Sequence, residues 1–94
     1  MPYELMARGE LDQALRIRRE EQLPVYEKLG DVRERLVCRA NMAICLIQRR
    51  RAGDKVEAQR LLALALADAQ RLRLPEVARI EELLRQAASA PPDT

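Results

Sequence analysis

Gly9-Glu10-Leu11-Asp12-Gln13-Ala14-Leu15 returns in altered form as Gly53-Asp54-Lys55-Val56-Glu57-Ala58-Gln59. An internal period of about 44 residues marks a supersecondary unit that cannot bury its apolar face alone and needs its neighbour's. The later halves of the units also match, Lys28-Leu29-Gly30-Asp31-Val32 with Arg73-Leu74-Pro75-Glu76-Val77, one residue out of step. A helix rises about 1.5 Å per residue, so such a unit holds two long helices and two tight turns. The expected class is all-α, built of antiparallel helix-turn-helix repeats.

Reading outward, 3–8 looks like the end of a helix stopped at Gly9, a residue suited to the left-handed conformation that closes helices. A helix over 10–29 follows. Pro24 cannot donate to the Glu20 carbonyl, which predicts a kink, and the apolar phase resumes at Val25 and Leu29. Asp31-x-x-Glu34 reads as a capping box opening a helix over 31–50. This helix is apolar nearly all round, through Leu36, Val37, Ala40, Met42, Ile44 and Leu46, and is expected to lie between neighbours. Its polar stripe is Glu34, Asn41 and Gln48, with Cys38 and Cys45 between them.

Asp54-x-x-Glu57 opens a helix over 54–72, whose Ala58, Leu61, Leu62, Ala65 and Ala69 form a face for close packing. The last helix, 75–88, starts at a proline and is two-sided, with Val77, Ile80, Leu83 and Leu84 inward and Glu76, Arg79, Glu82 and Arg85 outward. These elements group into one domain over 1–88. It comprises a truncated first repeat (3–29), a second repeat (31–72) and a capping helix (75–88), and 89–94 is expected to be a disordered tail. The expected core includes Leu15, Met42, Leu46, Leu62 and Ile80, and Ala14 and Ala58 are expected to mark close helix crossings.

Composition narrows the function classes. The 94-residue chain has net charge +2 with both signs interspersed, unlike the single-sign field of a nucleic-acid binder. Its N-terminus lacks a signal-peptide apolar core and its longest apolar run, 61–67, is too short to span a bilayer, so a cytoplasmic protein without membrane contact is expected. Cys38 and Cys45 lie two helical turns apart, roughly 10 Å between Cα atoms, beyond disulfide reach. The chain has no histidine. With Ser89 and Thr94 its only hydroxyls besides the tyrosines, no catalytic centre, metal or cofactor is expected.

The pattern Gly-acidic-x-x-Glu/Gln-Ala at Gly9 and Gly53, the second preceded by Asn41-Met42-Ala43-x-x-Leu46, resembles tetratricopeptide (TPR) repeats. The runs at 9–15, 20–31 and 74–76 look like the final units of long bacterial arrays, and the resemblance covers about 3–86. Arg39 replaces the family's large aromatic, 48–52 lengthens a turn, and the first leading helix survives only as 3–8. The last departure implies the tail end of a larger array or completion by another molecule.

The resemblance implies a TPR-like α-solenoid that binds a protein or peptide partner in a groove lined by leading helices, with Glu34, Cys38, Asn41, Cys45 and Gln48 as groove residues. Asn41 falls where some relatives hold a peptide backbone or terminal carboxylate. Two alternatives stand beside it. One is a structural homodimer closed through Leu11 and Leu15, which a truncated first repeat would leave in water. The other is contact with nucleic acid, another anion or an acidic partner through Arg49, Arg50 and Arg51, although nucleic acid is not the expected partner.

Overall fold

A computed structural model describes residues 3–89. All its regular elements are helical: α1 (Tyr3–Ile17), a π-helical turn (Arg18–Gln22), α2 (Leu23–Leu29), α3 (Val32–Arg49), α4 (Asp54–Arg71) and α5 (Glu76–Ser89). The tail expected over 89–94 lies, beyond Ser89, outside the described residues.

Gly9 does not stop the first helix. α1 runs through it, and its φ is not in the left-handed region. Glycine in a helix interior costs only about 1 kcal/mol relative to alanine, less than the burial of Leu15 one to two turns later returns. The helix is therefore longer at its start than the punctuation implies. Near its other end Pro24 has its effect one turn early. The Leu23 N–H reaches back five residues to the Arg18 carbonyl, widening the turn before the proline ring, and the chain stays helical to Leu29.

Gly30 closes α2 in the left-handed conformation, φ 68°, where its lack of a Cβ avoids strain. Its N–H donates to the Glu27 carbonyl and the Asp31 N–H to that of Tyr26, the paired arrangement of a Schellman cap. Asp31 then caps α3, its carboxylate accepting the Glu34 N–H at 3.2 Å. α4 closes in the same way, with Arg73 at φ 55° donating to Gln70 and Leu74 donating to Ala69. The sequence match sets Gly30 beside Pro75, whereas the cap geometry equates it with Arg73.

α4 opens at Asp54 as expected, but not through a side-chain cap. Gly53 is the residue before α4, and no side chain caps the helix. Asp54, only 3% exposed, turns its carboxylate back into the turn, where the Arg51 N–H and the Arg49 guanidinium claim it.

α3 is the central element, packed against α1, α2, α4 and α5. Leu15, Leu36, Met42, Leu46, Leu62 and Ile80 are buried around it, including all five large residues expected in the core. Ala58, Ala65, Ala69 and Ala87 are also wholly buried, and small side chains there let helices approach closely. Ala14 is half-buried. No described helix is long and apolar enough to cross a membrane.

Candidate binding groove

α3 and α5 lie side by side, and Arg33 on the first turn of α3 donates to Glu76 on the first turn of α5 at 2.7 Å. Joined at their starts, they run in the same direction and enclose an open recess of about 130 Å³. Its apolar lining includes Val37, Ala40 and Ile44 from α3 and Ile80 and Leu83 from α5. Its polar lining is Asn41, Glu76 and Arg79. The Asn41 carboxamide, half-buried, has no hydrogen-bond partner among the described residues, and Arg79, exposed, makes no ion pair with any of them. Arg79 does help hold the Glu82 carboxyl low, after the larger effect of its hydrogen bond from Arg85.

The five expected groove residues are divided by this geometry. Asn41 lines the recess. Glu34 and Gln48 are exposed beyond it, on the same helix. Cys38 and Cys45 are corrected from groove to interior, at 4% and 6% exposed. The π-helical turn lies against the first of them, where the Cys38 thiol approaches the Arg18 carbonyl at 3.6 Å. Burial pushes both thiols above their ordinary 9.0, partly offset by Arg18 nearby, so they are protonated and poor nucleophiles.

The arginine run is divided too. Arg49 donates to both oxygens of Asp54 and to Asp12 Oδ1 at 3.1 Å, and these hydrogen bonds, that of Asp54 foremost, raise its pKa. Arg51 pairs with the other Asp12 oxygen at 2.7 Å. Both guanidiniums are therefore engaged by carboxylates of the chain itself, which corrects the reading of Arg49 and Arg51 as open anion contacts. Arg50 is exposed, its backbone closing α3 at φ 60°. Leu15 is buried and Leu11 half-buried within the single chain, so neither is an open apolar face awaiting a second copy.

Asn41 is the one lining residue that belongs to the heptad stripe; Leu36, Val37, Ala40 and Ile44 of α3 lie outside it, as do the α5 residues Glu76, Arg79, Ile80 and Leu83. The signal for the α3 residues is the cluster at 37, 40, 41 and 44, one face of α3 beside the polar stripe. Only the position of α5 turns that face into a wall of a groove.

Among the described residues, no three His, Cys, Asp or Glu side chains converge as metal ligands would. No family model, curated protein or solved structure matches the chain.

Proposed function

We propose that this chain is a protein-interaction module of tetratricopeptide-type helical repeats, which binds a peptide or protein partner in the α3–α5 groove and performs no catalysis. The observation that carries the reading is the recess itself: an apolar floor open to solvent, flanked by an amide without a hydrogen bond and a guanidinium without a close ion pair among the described residues. Such a mixture favours a partner that offers both an apolar side chain and backbone or polar groups.

The internal repetition supports a solenoid. α3 and α5 each follow a helix closed by a left-handed residue, Gly30 and Arg73, and the Arg33–Glu76 pair aligns their starts. The two leading helices of successive units then make one continuous wall, the surface that stacked repeats use for binding.

The test begins with selection of peptides from a displayed library on the immobilised protein. Ile44→Glu is expected to weaken the selected peptide at least ten-fold, by placing a charge on the apolar floor. Val56→Glu, on the outer face of α4 where Val56 is 70% exposed, is expected to leave binding unchanged. Equal loss from both variants, or loss from Val56→Glu alone, would place binding elsewhere.

A further inference from the structure

We infer that the α3–α5 groove takes an aromatic side chain with a hydrogen-bond donor at its tip, a tyrosine or tryptophan of the partner. The inference rests on the reading of this groove as the binding surface, and it names the anchor that the surface selects.

The recess is of single-side-chain size. At about 130 Å³ it is well below the roughly 300–1,000 Å³ of sites for larger ligands. Val37, Ala40, Ile44, Ile80 and Leu83 present hydrocarbon to whatever enters, so the body of the anchor is apolar.

One of the lining residues, Glu76, carries an acceptor without a donor among the described residues. Glu76 Oε1 accepts from Arg33, but Glu76 Oε2 is shielded from solvent and accepts nothing from the described residues. Buried carboxylate oxygens are normally paired, because an unmade hydrogen bond leaves the desolvation of the charged group uncompensated. Because Oε2 is shielded, binding requires the carboxylate to turn about its last torsion, which is broad in glutamate, and present this oxygen to an incoming N–H or O–H. Arg79, one turn along α5 and also lining the groove, offers a guanidinium that stacks on an aromatic face.

Other anchors satisfy only part of this set. Leucine or phenylalanine fills the recess and leaves Oε2 unpaired. Lysine or arginine brings donors, but adds a cation beside Arg33 and Arg79. An acidic anchor suits Arg79 and is repelled by Glu76. Tyrosine and tryptophan bring an apolar body, one uncharged donor and a face for the guanidinium.

The experiment titrates the isotope-labelled full chain with N-acetyl-tyrosinamide, N-acetyl-tryptophanamide, N-acetyl-phenylalaninamide and N-acetyl-leucinamide, following the methyl signals of Ile44, Ile80 and Leu83. The tyrosine and tryptophan amides are expected to bind roughly ten-fold more tightly than the phenylalanine amide, the effect of a hydrogen bond to a charged acceptor. Glu76→Leu is expected to bring the tyrosine-to-phenylalanine ratio to about one, and Arg33→Ala, which keeps the acceptor, to preserve the preference. Where Glu76→Leu does not fold, Glu76→Gln keeps the shape with a weaker acceptor and is expected to shrink the same ratio. Equal binding of the tyrosine and phenylalanine amides, or tightest binding of the leucine amide, would overturn the donor-bearing anchor while leaving an apolar groove. Absence of any shift at the three methyl-bearing residues with all four probes would overturn the groove as well.

Discussion

Arg49 and Asp54 grip each other at two points across the turn between α3 and α4, Nε to Oδ2 at 2.9 Å and Nη2 to Oδ1 at 2.8 Å. The pair is largely shielded, with side chains 16% and 5% exposed, and Asp12 joins it from α1. One carboxylate thus fixes the end of α3, the backbone of Arg51 and the start of α4, while the guanidinium reaches to the first helix. A planar fork meeting a carboxylate is the strongest geometry for such a contact. It ties together the elements on both sides of α3, whose opposite face forms the groove floor.

Acid is expected to loosen this knot. Burial raises the Asp54 carboxyl, but the hydrogen bonds from Arg49 and the Arg51 N–H outweigh it and hold the group below its ordinary 3.8. The unfolded chain then takes up the proton more readily than the folded one. The stabilisation is therefore complete above the ordinary value and is lost as pH falls through the lower, folded one. At pH 7, Asp54→Ala should cost roughly 3 kcal/mol, because Arg49 keeps its shielded position without its main partner. In urea unfolding, the gap between wild type and Asp54→Asn should narrow from pH 5 to pH 2. A constant gap would place the acid sensitivity elsewhere, Asp68 being the next carboxyl held low, against its own burial, by Arg71 and Arg35.

The core offers a second expectation. Leu62 is wholly buried, and Leu62→Ala should destabilise by roughly 2–5 kcal/mol, the range for cavities left by buried leucines. Ala58→Leu should destabilise too, by about 1–3 kcal/mol, since Ala58 has no exposed surface into which extra methylenes could turn. Chemical denaturation of both variants measures this, and an unchanged midpoint for Ala58→Leu would contradict close packing at α4.

Periodicity located α3, α4 and α5 to within about one residue at their ends and selected Leu15, Met42, Leu46, Leu62 and Ile80 as core, because apolar spacing records which face of a helix meets others. Gly9 misled because local punctuation is weak against tertiary burial, and a single error spread from it. A first helix that stopped there would have left Leu15 open to water. Asp54 does open α4, but local sequence does not reveal that its carboxylate is claimed by Arg49, five positions earlier. Cys38 and Cys45 share a helical face with Asn41, but heptad spacing cannot say which part of that face a neighbour covers.

The thiols supply a third prediction. Cys38 and Cys45 are buried and held protonated, so Ellman's reagent should label neither at pH 8 in the native protein, at a rate faster than unfolding exposes them. Labelling should become rapid in denaturing urea. Immediate reaction of one thiol per chain in native buffer would mean that the helical layer over α3 opens readily.

The backbone supplies the last. Gly9 sits inside α1, a Cβ there meets nothing within 4 Å, and its φ is not left-handed. Gly9→Ala should therefore stabilise by about 0.4–1 kcal/mol, mostly by restricting the unfolded chain. Arg50 and Arg73 present the opposite case. At φ 60° and 55° each holds a side chain in the left-handed conformation that closes a helix, at a cost of roughly 1 kcal/mol. Arg50 and Arg73 are both exposed, so glycine there removes strain without opening a cavity. Arg50→Gly and Arg73→Gly should each stabilise by a few tenths to about 1 kcal/mol after the added freedom of the unfolded chain is subtracted. The three changes lie in different elements and should add within about 0.5 kcal/mol. Thermal and urea midpoints of the single and triple variants check this. A destabilised Gly9→Ala would mean that α1 is interrupted at that residue after all, and a destabilised Arg73→Gly would mean that its side chain contributes more to the α4–α5 turn than its backbone strain takes away.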